Sequence, residues 1–337
     1  MSYQKLDGMN QSLLKQILNH PQNFLRTKER FEQQLQNKED GVIESVAPHF
    51  LFGKVVDFML TEDTEFEDVF YVCKNIKSPS DTIVALLNML FNEYVSSGSL
   101  ESHQGRIIEC AARLQYGQNW KAETLFNKVL ESGSEYWEML LESSNKIMVS
   151  QEDYNKAVIA CAALRSNEYT GYYLNKTRDV EIIKKPVVEF KFKGIDFKGE
   201  LDLVTIDHEL KEITPVDVKT MSGEVNKFAG NFWSYRYDFQ GAFYDKGIRV
   251  HPEVKGLLET GYKLKPFVFL VVEKESINQP MVYEMSEDVL IKGAVGNPDR
   301  NLEGVLKAIE RYKWHTENNK WDYPMEYYLS NGKMIIE

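Results

Sequence analysis

At Val180 the pattern of this 337-residue chain changes period, and that change constrains the fold more than any other feature. Through about residue 170, apolar residues recur at helical spacing in a series of short segments. "NQSLLKQILNHPQNFLRTKERF" reads as helix, with Pro21 marking either a break or a new helix start, and "HFLFGKVVDFMLT" reads as a compact buried helix. Ser80–Tyr94, His103–Leu114, Trp120–Leu130, Glu135–Leu141 and Gln151–Asn167 follow as amphipathic helices divided by polar or Gly/Ser turns. Ser150 and Asp153 form a capping box at the last of them. After Val180, "VVEFKFKG", "IDFKGELDLVTI" and "ITPVDVKT" alternate apolar and polar residues around "KG" and "DHELKE" turns, which predicts a meander of three strands. Helix returns over Tyr235–Ile248, "KPFVFLVVE" is a core strand, "MVYEM" a further strand, and "DRNLEGVLKAIERYKW" a terminal helix. This order predicts one α/β domain over 1–337, with helices flanking a central mixed sheet. Residues 75–145 form a helical insertion that no proline- or glycine-rich linker sets apart.

Composition excludes several classes. With 43% hydrophobic and 27% charged residues the chain is of ordinary globular type. It has no run of about 18 apolar residues that would cross a bilayer, and its start lacks a basic-then-apolar signal pattern. No membrane association and a cytoplasmic location are therefore expected. Cys73, Cys110 and Cys161 lie far apart, which favours a reducing compartment and argues against zinc or iron–sulfur sites. A net charge of −11 argues against a broadly cationic nucleic-acid coat.

The chemistry concentrates in the strand block. Side chains two apart share a strand face, so Asp217 and Lys219 point together while Val216 and Val218 point the other way. On the preceding strand Glu200, Asp202 and Val204 share a face. A hairpin through "DHELKE" brings Asp202 near Asp217. Carboxylates that close repel and raise each other's pKa unless a cation lies between them. An oxygen-rich site of few ligands suits Mg²⁺, which completes its shell with waters and a phosphate. A neighbouring lysine is suited to orient attacking water and balance developing charge. In "YRYDFQGAFYDKGI", Gln240 and Tyr244 stand at i, i+4 on one helix face, where they can position substrate or water. Each piece also has a plainer reading. An isolated D-x-K is an ordinary surface cross-strand pair, and Phe239, Phe243 and Tyr244 are ordinary core aromatics. Lys185, Lys191, Lys193 and Lys198 punctuate the outward face of the meander, where they contact solvent or phosphates. The "NFWSYRY" aromatics either stack on an unpaired base or pack internally. The histidines show no metal-ligand spacing.

Taken in order, Asp202, "DVKT", "SYRYDFQGAFYDKGI" and "KPFVFLVVE" resemble the PD-(D/E)XK nuclease superfamily, and within it the RecE (exonuclease VIII) family of phage recombination exonucleases. "SLLKQILNHPQNF" and "FGKVVDFML" are similar to that family's opening and metal-side helices, so the resemblance covers about residues 10–60 and 150–320. It implies a restriction-endonuclease-like core in which Asp202, Asp217 and the Val218 carbonyl hold Mg²⁺, with Mn²⁺ as a substitute. Lys219 is the catalytic lysine in this reading, and Gln240 and Tyr244 are the helix pair. The family's G-x-x-x-H histidine is replaced here by Asp57, which either ligates through oxygen or is a helix-surface acid. Ser12, Arg26 and Arg236 lie beside the motifs as candidate 5′-phosphate or backbone contacts. The implied activity is 5′ to 3′ hydrolysis of linear duplex DNA ends. It would leave 3′ single strands for an annealing recombinase, with the enzyme a ring of three or four subunits in the cytoplasm of a phage-infected bacterium. The alternatives are a RecB-like or structure-specific endonuclease, and a non-catalytic DNA-binding protein of the same fold.

Overall fold

A computed structural model describes residues 6–39, 48–73, 79–143 and 146–334. They divide into two compact units, one of residues 6–39, 48–63 and 156–334, the other of residues 64–73, 79–143 and 146–155.

In the first unit the strands are β1 Val180–Lys184, β2 Val187–Phe192, β3 Ile195–Glu200, β4 Leu203–Asp207, β5 Glu212–Met221, β6 Val268–Glu273 and β7 Met281–Glu284. The main sheet runs β7-β6-β5-β4-β1, and Lys263–Leu264 lies along the start of β5. β5 and β6 are parallel and the other neighbours in that order antiparallel, so the sheet is mixed. Every residue of β4 and β6 is buried, as expected for strands covered on both faces, and this is why "VFLVV" is uninterrupted apolar sequence. The flanking helices include α1 Gln11–Asn19, α2 Pro21–Glu39, α3 Pro48–Thr61, α4 Gln151–Ser166 (residues 156–166 of it belonging to this unit), α5 Tyr237–Ile248, α6 Glu287–Val295 and α7 Val305–Asn318. Leu14 and Ile17 of α1, Phe239 and Phe243 of α5 and Ile309 of α7 join Phe197, Phe267 and Phe269 in one apolar cluster. Ser150 caps α4 as its sequence predicts, its Oγ accepting from the Asp153 N–H at 3.0 Å. The sequence pattern does not reveal α6, whose Ser286 cap accepts from Val289 N–H at 3.3 Å. The α6 helix lies against α5 so closely that a Cβ on Gly293 would stand 2.0 Å from the Asp238 carbonyl oxygen.

The expected three-strand meander needs correction. "IDFKGELDLVTI" is not one strand; it breaks at Leu201–Asp202 into β3 and β4. β2 pairs only with β3, in a separate two-stranded ladder, and β4 pairs with β1, a strand absent from the sequence expectation. The register runs through the break unshifted, from Lys184↔Leu203 to Val187↔Glu200. Lys185 N–H to Asp202 carbonyl at 2.9 Å and Leu201 N–H to Pro186 carbonyl at 3.1 Å span the gap. Lys185 takes a left-handed φ of 46° and Pro186 has no N–H to donate, so the ribbon kinks without inserting a residue. A kink of that kind leaves the alternation intact.

The second unit is built on helices Asp81–Glu93, Gln104–Arg113 and Ala122–Glu142, with parallel strands Phe70–Cys73 and Ile147–Ser150. Leu86, Leu90, Ile107, Val129 and Trp137 fill its core. The two helices expected over Trp120–Leu130 and Glu135–Leu141 are one. The "SGS" that reads as a turn lies inside it, with Gly133 buried against Leu87 and Ile83. Among the described residues no helix is long and apolar enough to cross a membrane.

Candidate active site

β5 is the middle strand of the sheet, and its alternation sends Val216 and Val218 into buried surroundings while turning Asp217 and Lys219 to the other face. Asp217 is only 5% exposed. Its carboxylate meets the Lys219 ammonium through Oδ2 and accepts from Gln240 Nε2 at 2.5 Å through Oδ1. Lys219 Nζ also lies 5.1 Å from the centroid of the Tyr237 ring. The β4–β5 register, ending at Leu203↔Val216, sets Asp202 in the next position, beside Asp217. There its Oδ2 accepts from the Val218 N–H at 2.8 Å. The kink brings in Lys185, whose ammonium donates to Asp202 Oδ1 at 3.3 Å and to both Asp57 oxygens at 2.8 and 2.7 Å. Asp57 stands on α3 one turn after Gly53, where a Cβ would be 3.0 Å from Thr220 Oγ1; glycine lets that helix lie close on β5. The site is thus a row of alternating charge, Asp57, Lys185, Asp202, Lys219 and Asp217.

Burial pushes the Asp217 carboxyl up to about 6; the Lys219 ammonium pulls it back and Asp202 pushes it further. Asp57 is raised by burial and then by Asp202, with Lys185 opposing. Burial works against a charged Lys185, yet Asp202 and Asp57 hold it above the ordinary lysine range. An acid whose folded pKa is raised binds its proton more tightly folded than unfolded. Its ionisation therefore costs stability in full above pH 6, and the cost fades as pH falls to the ordinary carboxylate value of about 4. Relative to Asp217→Asn, which does not titrate, the metal-free wild type should be least stable above pH 6 and should recover through that window. Urea melts of both proteins across the window check this, and a constant difference would rule out the raised pKa.

These features bear on whether a divalent cation fits. Three carboxylates come from α3, from the break before β4 and from β5, an oxygen-only donor set of the kind Mg²⁺ takes. The cost of ionising Asp57 and Asp217 beside Asp202 is what a cation there would relieve. Among the described residues no three His, Cys, Asp or Glu side chains converge on one point. Mg²⁺ commonly uses only one or two carboxylates and fills its shell with water and phosphate, so the Asp202–Asp217 pair fits it.

The other residues singled out from sequence are dispersed. Tyr244, one turn beyond Gln240, packs in the apolar cluster with its ring stacked on Phe267 at 6.2 Å. Arg236 grips buried Asp238 at 3.1 and 3.2 Å and the Glu303 carbonyl at 2.5 Å, which ties it into the fold. Ser12 accepts from Gln11, and Arg26 is exposed. Lys191 pairs with Asp196, Lys193 lies over Phe192, and Lys198 donates to the Leu6 carbonyl. Lys185, expected on the outward face of the meander, is instead inside the site, with a side chain 17% exposed. Pro186 is the available signal, because a proline within a strand pattern marks a break in the ladder.

A mixed sheet flanked by helices, carrying D-x-K on its middle strand, defines a PDDEXK-like fold of nuclease type. The family described as "PDDEXK-like domain of unknown function (DUF3799)" matches residues 11–326, and this chain belongs to it. No curated protein matches the sequence. Among solved structures, one from Eubacterium rectale described as a "putative exonuclease" is similar at 14% identity, covering 74% of this chain and 81% of its own, with a TM-score of 0.35.

Proposed function

We propose that this protein is a metal-dependent deoxyribonuclease that hydrolyses phosphodiesters at linear duplex ends, in the manner of the RecE-type exonucleases its motifs resemble. The observation that carries the reading is the Asp217 constellation. One buried carboxylate is bound at once by the Lys219 ammonium and the Gln240 amide, with Asp202 one register step away. Asp202 and Asp217 would hold Mg²⁺ or Mn²⁺ together with the Val218 carbonyl, and Asp57 would reach the same charge cluster. The bound ion supplies Lewis-acid charge at the scissile phosphate. Lys219, released from Asp217, would orient water toward phosphorus and balance the charge that develops there. Gln240 keeps Asp217 in place as Lys219 moves, and Tyr244 supports that helix turn from the core. The product would be 3′ single-stranded DNA, the substrate of an annealing recombinase. Threading through a ring of three or four copies would give processivity without a strongly basic surface, which suits a charge of −11.

End-labelled linear duplex should be degraded with Mg²⁺ and spared without it, while covalently closed circles should survive. Cutting should weaken steeply with salt, since any groove that tracks the backbone releases counterions. Rapid cutting of closed circles would replace the exonuclease with an endonuclease, and inertness toward every DNA with both metals would remove the nuclease.

A further inference from the structure

Lys185 sits in the kink between β1 and β2 and is held there by charged contacts on two sides. Its Nζ lies within 2.8 Å of both oxygens of Asp57 and 3.3 Å from Asp202 Oδ1. The two acids come from α3 and from the kink before β4, 128 and 17 positions away from it in sequence. Its left-handed backbone, costly for a residue with a Cβ, is what bends the ribbon there. Two carboxylates this near each other repel, and a single ammonium between them opposes that repulsion. Asp202 Oδ2 already accepts from the Val218 N–H, so a divalent cation ligated by Asp202 would compete with Lys185 for Oδ1.

We propose that Lys185 is a resident counter-ion, which braces Asp57 against Asp202 in the metal-free protein and must withdraw for a divalent cation to bind, so that it sets the metal affinity of the site. This rests on the reading above, in which Asp202 is a metal ligand. Removing the ammonium leaves the acids unshielded, so the metal-free fold weakens while the attraction for Mn²⁺ strengthens. The charged hydrogen bonds that metal must break are lost in the variant, and their typical worth corresponds to roughly tenfold or more in affinity.

Calorimetric titration of metal-free protein with Mn²⁺, alongside thermal melts, tests this in wild type, Lys185→Met and Lys185→Arg. Lys185→Met should bind Mn²⁺ at least about tenfold more tightly. It should melt lower without metal and gain more on adding it. Lys185→Arg keeps a cation and should stay near wild type. Unchanged or weaker Mn²⁺ binding by folded Lys185→Met overturns the inference and leaves Lys185 a brace in a nuclease whose wild type still binds metal and cuts. Absence of Mn²⁺ binding in all three proteins overturns the nuclease reading itself. If Lys185→Met does not fold, the wild type decides. Its Lys185 ¹³Cε resonance should shift in step with Mg²⁺ occupancy, and a resonance unmoved at saturation overturns the inference.

Discussion

Asp217→Asn is expected to abolish DNA cleavage while the protein stays folded. The amide has the shape of the carboxylate, so its oxygen can still accept from Gln240 Nε2. What disappears is the negative charge that holds a cation in common with Asp202 and that pins Lys219. The rate should fall by on the order of 10³-fold or more, since removing even one preorganised electrostatic contact costs roughly 10²–10³. The Lys219 ammonium is not stranded, because Asp202 also attracts it. Above pH 6 the variant should be as stable as the wild type or more so, since the ionised carboxylate there is buried at a cost. Digestion of end-labelled duplex, with circular dichroism to confirm folding, checks both halves. Full cleavage by the variant would sink the proposed site; loss of cleavage through unfolding would show instead that Asp217 is a structural acid.

Gly293→Ala should be the most damaging alanine substitution among the described glycines. A Cβ there would meet the Asp238 carbonyl oxygen at 2.0 Å, the carbonyl carbon at 2.6 Å and Ala242 Cβ at 3.1 Å. The first two are backbone atoms of α5, so no rotamer change relieves the clash and the helices must separate. Overpacking of this severity costs about 3 kcal/mol or more. α5 also carries Gln240, so activity should fall with stability as the contact to Asp217 loosens. Gly256, in the helix Pro252–Glu259, is the control. A Cβ there meets nothing within 4 Å, so Gly256→Ala should be neutral or stabilising by up to about 1 kcal/mol through helix propensity. Thermal melts of the two variants give the comparison, and a Gly293→Ala cost below ~1 kcal/mol would mean that α5 and α6 can part without penalty.

The parts of the site that local pattern can encode are legible in the sequence by itself. Strand alternation alone puts Asp217 and Lys219 on one face, opposite Val216 and Val218, because the side-chain period of a strand is two wherever the strand lies. A short polar turn between "LDLVTI" and "ITPVDVKT" is enough to pair β4 with β5 and set Asp202 beside Asp217. The apolar run of β6 marks a strand covered on both faces. What escapes local pattern are contacts between distant segments and features that leave the periodicity unchanged. The Lys185–Pro186 kink preserves register, so an unbroken alternation runs through a ribbon that bends and leaves the sheet. Gly133 looks like a turn in "SGS" but serves a close helix contact, because a glycine marks either one and only the neighbouring Leu87 decides. The junction of Asp57 with Lys185 spans 128 positions and depends on how α3 lies against β5 over Gly53. No period reaches that far. Packing, not pattern, makes an ordinary surface lysine into the cation between two half-buried acids.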